Sequence, residues 1–361
     1  MPFMKTAFKA IAVIFCVLIA WLLLWPTPVE PVAWEAPAAP PLEGAYGPNN
    51  ILSKVTRIEI ESGYGPEDVA VDAMGFIYGG TQQGKILKFH PETHKAEEFA
   101  DTGGRPLGLH FNAGGDLIVA DAFKGLLRIA PQGKLEVLST EAGGVPFLFT
   151  DDLDIAADGT IYFSDASYKY DQHHYKLDAI EHQPNGRLLA YYPETRQTEI
   201  LLDKLHFANG VAVSPDQQFV LVNETWEYRV TRYWIAGERK GQSEVFLENL
   251  PGFPDGISCN GVDTFWVALA SPRNPLLDNL SGKPFLRKVI SRLPEFMQPK
   301  AIPFAFVLGA DVNGRITHNL QEPSGKPFHM ITSVQQHGDT LWLGSLEEPA
   351  LAFLPVPEPN L

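Results

Sequence analysis

Four oxygen-bearing side chains occupy equivalent positions in a set of internal repeats. Each is the second residue of a segment that starts a repeat, and together they are Glu67, Asp151, Asn209 and Asp255. Carboxylate and amide oxygens without Cys or His select a hard cation. Oxygens from separate loops suit the flexible coordination of Ca²⁺ better than the strict octahedron of Mg²⁺. We therefore predict that these residues bind Ca²⁺, provided that the fold brings them together.

Asp and Asn are also common in turns before strands, so any one of these residues alone indicates only a turn. Four oxygen donors at six equivalent positions are harder to explain in that way. Three carboxylates at one place would repel one another and raise their pKa values unless a cation neutralised them. The pattern as a whole favours the metal site.

The repeats predict the fold that must position these side chains. Six segments align at their starts: Pro66-Glu-Asp-Val-Ala-Val, Pro106-Leu-Gly-Leu-His-Phe, Thr150-Asp-Asp-Leu-Asp-Ile, Ala208-Asn-Gly-Val-Ala-Val, Pro254-Asp-Gly-Ile-Ser-Cys and Ile331-Thr-Ser-Val-Gln-Gln. The first three begin at residues 66, 106 and 150, spacings of 40 and 44 that match the roughly 40–50 residues of a propeller blade. We predict an all-β, six-bladed β-propeller whose innermost strands start around the mouth of the central channel.

Two further segments complete the predicted architecture. The run from Lys54 to Ile60 precedes the first full repeat and is expected to add a strand to the last blade, closing the ring. Residues at about 276–299 carry apolar side chains near helical spacing and predict a short helical insertion between blades five and six.

The N-terminal sequence predicts a membrane anchor. Lys5 and Lys9 precede an apolar run from Ala10 to Trp25, which predicts a transmembrane signal anchor in residues 1–25 with a cytoplasmic N-terminus and the propeller on the far side. The alternative is a cleaved signal peptide and secretion. The proline-rich residues 26–50 are expected to form an extended stalk before the propeller of residues 51–361.

Charge and cysteine content exclude several classes of function. With 28 Lys and Arg against 43 Asp and Glu, the chain has a formal net charge of −15, which argues against a nucleic-acid partner. Its two cysteines, Cys16 and Cys259, exclude a disulfide framework and a CxxC zinc site.

Other residues near the predicted channel mouth are weaker candidates, and each has an ordinary structural explanation in a turn, a core or a surface. Asp152 is the candidate general base, with a ring carboxylate as the alternative. The candidates for a substrate pocket are Leu107, His110, His206, Trp226 and Thr332.

Longer motifs resemble the strictosidine synthase-like family, within the calcium-dependent propeller superfamily of gluconolactonases and paraoxonases. They are Phe149-Thr-Asp-Asp-Leu-Asp-Ile, Gly159-Thr-Ile-Tyr-Phe-Ser-Asp, Phe207-Ala-Asn-Gly-Val-Ala-Val, Leu250-Pro-Gly-Phe-Pro-Asp-Gly-Ile and Phe265-Trp-Val-Ala-Leu. Within this family, the chain resembles the membrane-anchored members of the adipocyte plasma membrane-associated protein type. The resemblance implies that Glu67, Asn209 and Asp255 match superfamily metal ligands, while Asp151 stands where members usually carry Asn.

Two departures from the family pattern bear on activity. Thr332 occupies the position of the catalytic Glu of strictosidine synthases, and Leu107 occupies the position of a paraoxonase His. We therefore expect a Ca²⁺-dependent hydrolase of small carboxylic esters or lactones, in which the metal polarises the carbonyl for attack by water. The alternatives are a non-catalytic, metal-stabilised propeller that binds a partner and, disfavoured by Thr332, a condensing enzyme.

Overall fold

The computed structural model describes residues 2–61 and 63–361 and confirms a six-bladed β-propeller of four-stranded antiparallel sheets. From the inner strand outwards, blade one comprises Val69–Val71, Ile77–Gly80, Lys85–Phe89 and Ala96–Asp101. Blade two comprises Pro106–Phe111, Leu117–Asp121, Gly125–Ile129 and Leu135–Ser139. Blade three comprises Thr150–Ile155, Ile161–Asp165, Gly186–Tyr192 and Gln197–Leu205.

The later blades repeat this arrangement. Blade four comprises Ala208–Val213, Phe219–Glu224, Arg229–Trp234 and Ser243–Leu247. Blade five comprises Gly252–Cys259, Thr264–Pro272, Ala305–Asp311 and Ile316–Glu322. Blade six comprises Ile331–His337, Thr340–Ser345, Ala350–Pro355 and, outermost, Thr56–Glu59. A two-stranded ribbon, Glu141–Ala142 with Val145–Pro146, lies between blades two and three.

The N-terminal strand closes the ring, as predicted. Thr56–Glu59 pairs antiparallel with Ala350–Pro355, and Ile58 lies opposite Leu351. Both side chains are buried and pack with Val69 and Ile77 of blade one. Burial of these apolar faces between neighbouring blades therefore holds the two ends of the propeller together.

Buried acids fix the loops that lead into the inner strands. The last residue of the second strand accepts a hydrogen bond from the crossover backbone in three blades: Asp121 from the Arg105 N–H at 3.0 Å, Asp165 from the Phe149 N–H at 3.0 Å, and Glu224 from the His206 N–H at 3.1 Å. Since each crossover ends beside an inner-strand start, these bonds hold the channel mouth in place.

The helical insertion is confirmed, but its position differs from the predicted one. Helices α3 (Pro275–Leu280) and α4 (Pro284–Ile290) and the turn Glu295–Met297 connect the second and third strands of blade five, rather than blades five and six. The reason is that the stretch between the fifth and sixth repeat starts also holds two blade-five strands. A second insertion, the turn Gln172–His174 and helix α2 (Tyr175–Glu181), occupies the equivalent connection of blade three.

The N-terminal helix α1 spans Pro2–Leu24, and its stretch Thr6–Leu24 is long and apolar enough to cross a membrane. The proline-rich segment that follows is extended, yet it packs on the propeller instead of forming a free stalk. Residues 29–38, here called the strap, run between the two insertions. The Val32 N–H donates to the carbonyl of Glu181 in α2, and the Trp34 N–H donates to the carbonyl of Ser281 after α3.

Candidate metal centre and substrate pocket

Two cavities meet at the channel mouth, and the four predicted ligands form the boundary between them. The smaller cavity, about 20 Å³, lies within the channel, and a pocket of about 570 Å³ lies above it under the insertions. The residues that line both are Glu67, Asp151, Asn209 and Asp255. About 20 Å³ accommodates one ion or water molecule.

The boundary between the cavities holds three carboxylates whose pKa values are raised. Burial is the main cause that raises the pKa of Glu67 to about 7, and it also raises the pKa values of Asp151 and Asp255. Repulsion from Glu67 adds to the shift of both aspartates. Among the described residues, these carboxylates do not form a group whose oxygens all lie within 4.8 Å of one another. A cation would draw the three like charges together.

The donors fit a hard divalent cation. All are oxygens, and Glu67 Oε2 is buried without a hydrogen-bond partner among the described residues. The buried guanidinium of Arg105 lies 3.5 Å from that oxygen. Three carboxylates and this guanidinium carry a formal charge of −2, which a divalent cation balances. Sequence reasoning missed Arg105, whose only signal is its position immediately before the second repeat.

Asp152 lines the small cavity but not the pocket above it. Its Oδ1 accepts a hydrogen bond from the Leu153 N–H, and its Oδ2 accepts one from the Val211 N–H of blade four, both at 2.8 Å. The equivalent Asp68 of blade one accepts from the Leu109 N–H of blade two at 2.9 Å. The geometry therefore gives Asp152 a role in joining adjacent blades.

The large pocket is mostly apolar and aromatic. Its walls include Trp34 from the strap, Tyr175 from α2, Trp226, Phe253 and Leu280 from α3. Sequence reasoning missed Phe253, although it lies two residues before Asp255 and immediately before the fifth repeat start. The pocket therefore combines a polar floor with walls that suit an apolar ligand.

The five predicted pocket residues fall into three groups. Trp226 lines the large pocket, and its indole N–H donates to Asp178 Oδ1 in α2 at 3.0 Å. Leu107 and Thr332 line only the small cavity below the ring. His110 and His206 line neither cavity. His110 lies farther along the inner strand, and His206 stacks on His182, which lines the large pocket.

Comparisons with known proteins agree with this architecture. The sequence model of strictosidine synthase matches residues 151–238, and that of the strictosidine synthase-like N-terminal region matches residues 44–89. The adipocyte plasma membrane-associated protein of Rattus norvegicus is 34% identical over 361 residues, covering 93% of this chain and 95% of the relative. Strictosidine synthase-like 6 of Arabidopsis thaliana is 39% identical over 288 residues, covering 78% and 76%. The chain belongs to the strictosidine synthase-like family.

Solved structures show the same fold beyond this family. A gluconolactonase from Xanthomonas campestris superposes with a TM-score of 0.61 at 16% identity, covering 84% of this chain and 89% of the other. A calcium-binding protein, regucalcin, from Agrobacterium tumefaciens gives a TM-score of 0.57 at 15% identity, covering 82% and 90%. At such low identities, the comparison shows only that these proteins and this member of the strictosidine synthase-like family have the same propeller fold.

Proposed function

We propose that the protein is a Ca²⁺-dependent hydrolase of carboxylic esters or lactones that carry a bulky apolar group. One observation carries this proposal: the four oxygen donors form the floor of a large apolar pocket. A substrate whose apolar part is held by the walls would have its polar group at this floor, where the four donors would hold the ion. The names of two proteins with the same fold, a gluconolactonase and a calcium-binding protein, support the choice of reaction and metal.

In this proposal the floor residues hold the metal ion and the wall residues bind the substrate. Glu67, Asp151, Asn209 and Asp255 would hold Ca²⁺, which when bound supplies a Lewis acid for the substrate carbonyl. The aromatic walls bind the apolar part of the substrate and exclude bulk water, which strengthens electrostatic interactions on the floor. Asp178, which accepts from the Trp226 indole, fixes one of those walls in place.

Proton transfer belongs with a floor carboxylate. Asp151 and Asp255 are the aspartates that line the pocket as well as the small cavity, so they are the ones placed to accept a proton from water. Asp152 lies on the channel side, with both oxygens already accepting backbone N–H groups. The Thr332 hydroxyl donates to the Glu67 carbonyl at 2.7 Å and is buried, so it offers no base for a condensation reaction.

Metal dependence is the direct test. The full chain in detergent micelles, freed of divalent cations with a chelating resin, should lose activity towards a panel of lactones and aryl esters, and Ca²⁺ should restore it where Mg²⁺ does not. Activity that is indifferent to metal removal would refute the proposal. A lowered Tm on metal removal with no turnover of any substrate would instead indicate the partner-binding alternative.

The pocket makes a separate prediction about substrate choice. Replacing Phe253 with Ala removes an aromatic wall that contacts Trp226 and Tyr228 at ring-centroid distances of 6.0 and 5.1 Å. We expect KM for aryl or long-chain substrates to rise about tenfold, the equivalent of about 1.4 kcal/mol of lost apolar contact. Steady-state kinetics on a small polar lactone is the internal control, because its KM should not change. Equal effects on both substrates would contradict an apolar recognition role.

A further inference from the structure

At one wall of the large pocket, two imidazoles and a carboxylate converge, and His182 is the one of the three that lines the pocket. His182 follows α2, His206 lies in the crossover into blade four, and Glu227 ends the turn Thr225–Glu227 of the same blade. Their nearest ligand atoms, one from each side chain, all lie within 4.8 Å of one another. Sequence reasoning treated His206 as a pocket candidate and did not connect the three.

The separations suit a small transition-metal ion. Glu227 Oε1 lies 3.1 Å from His182 Nε2 and 3.5 Å from His206 Nδ1. Ligands at about 2.0–2.1 Å in a tetrahedron are about 3.3 Å apart. The two separations from Glu227 therefore match the spacing that Zn²⁺ requires, and the nitrogens of His182 and His206 lie within 4.8 Å of each other.

The two imidazole nitrogens differ in their present contacts. His206 Nδ1 is buried and has no hydrogen-bond partner among the described residues. His182 Nε2 is hydrogen-bonded to Glu227 Oε1 at 3.1 Å, and a bound ion would replace this bond with release of the shared proton. Glu224 lies 3.8 Å from His206 Nδ1 but already accepts from Arg229 and Thr231, so it adds negative charge without being a ligand.

We propose that His182, His206 and Glu227 form a second metal site, of the Zn²⁺ type, that is separate from the oxygen ring. The two sites differ in donor chemistry, because the second combines two imidazole nitrogens with a single carboxylate. They also differ in place: the ring residues line both cavities, whereas His182 lines only the large pocket, and His206 and Glu227 line neither cavity.

The site would connect the end of α2 with blade four, next to the strap. The ring of Trp34 in the strap stacks on His182 at 4.0 Å, and His182 stacks on His206 at 4.7 Å. Because imidazole donates in its ring plane, binding would turn the ring of His182 or His206 out of their mutual stack. The bound ion would then fix the end of α2 against blade four, beside the strap residue Trp34. We expect binding to raise Tm, since the unfolded chain lacks the preformed site.

Co²⁺ spectroscopy tests the proposal without using catalysis. The full chain in micelles, stripped of metal and then saturated with Ca²⁺, is titrated with Co²⁺ alone and then with Zn²⁺ as competitor. We expect one equivalent of Co²⁺ to give the intense d–d absorption of a tetrahedral site, which Zn²⁺ abolishes. His206→Gln and Glu227→Gln should each weaken Co²⁺ binding more than about tenfold.

Two controls assign the signal to these residues. His337→Gln removes an exposed histidine and should leave the titration unchanged. Asp255→Asn should also leave it unchanged, because it alters only the oxygen ring. Retained Ca²⁺ binding by His206→Gln shows that the variant is folded. The proposal is overturned if no d–d absorption forms, if folded His206→Gln and Glu227→Gln bind Co²⁺ like the wild type, or if Asp255→Asn abolishes the signal.

Discussion

Asp255→Asn is expected to abolish tight Ca²⁺ binding and to lower ester or lactone hydrolysis about 10³-fold. Asp255 is half-buried at the boundary of both cavities and interacts with Glu67 and Asn209. The change preserves side-chain shape but lowers the formal charge of the three carboxylates and Arg105 from −2 to −1. Ligand charge tunes Ca²⁺ affinity, so we expect a loss of about 100-fold or more. Activity should fall further, on the scale of losing a main electrostatic contact in an active site.

Isothermal titration with Ca²⁺ and steady-state kinetics measure the two effects separately. Asp339→Asn is the matched control, because Asp339 is exposed on the turn after the inner strand of blade six. It should leave both Ca²⁺ affinity and turnover unchanged. Wild-type Ca²⁺ affinity in Asp255→Asn would remove this residue from the ligand set. Lost affinity with normal turnover would separate the metal from catalysis.

The fold and the oxygen ring were predictable because both depend on repetition. Each repeat start is an inner strand, so equivalent positions in the sequence become equivalent positions around one axis. The alignment thereby places Asp151 beside Glu67, although 83 residues separate them in the numbering. The closing strand was predictable for the same reason, since a ring of blades lacks one strand until Thr56–Glu59 supplies it.

The features that the sequence did not predict depend on contacts between segments that are not equivalent in the repeats. Arg105 approaches Glu67 from the next blade, at a position that is not part of the repeat. The strap packs on the insertions through side chains such as Trp34, whose partner His182 carries no periodic signal. The grouping of His182, His206 and Glu227 likewise joins a helix end, a crossover and a turn. Such contacts arise from the path of the connections, which no repeat specifies.

The ring residues line both cavities, whereas the acids that follow them in the sequence line only the small cavity. Asp68 and Asp152 follow ring residues in the sequence, but alternation along an inner strand turns them towards the neighbouring blade. There each accepts a backbone N–H from the next inner strand. An acid one residue after a ring residue thus joins adjacent inner strands.

Metal-free protein is expected to lose stability as the pH rises from about 4.5 to about 7, and Ca²⁺ is expected to abolish part of that loss. Burial raises the pKa of Glu67 from 4.5 to about 7, and that of Asp68 from 3.8 to about 6. In this interval the folded chain retains protons that the unfolded chain has released, so the free energy of unfolding decreases with rising pH. For Glu67 alone the decrease is roughly 3 kcal/mol. Bound Ca²⁺ stabilises the ionised carboxylates and removes their share of this cost.

Thermal unfolding at pH 5, 6, 7 and 8, of resin-treated protein with and without Ca²⁺, measures the effect. We expect the stabilisation by Ca²⁺ to grow with pH, by roughly 5 °C in Tm over this range. Asp178, whose pKa burial raises to about 6, lies outside the ring and should contribute equally to both curves, so their difference reports the ring. Glu67→Gln should make the metal-free curve less steep, because an amide does not ionise while Asp68 and Asp178 still titrate. Parallel curves with and without Ca²⁺ would show that the ring carboxylates do not bind the ion, since binding has to compete with their protons.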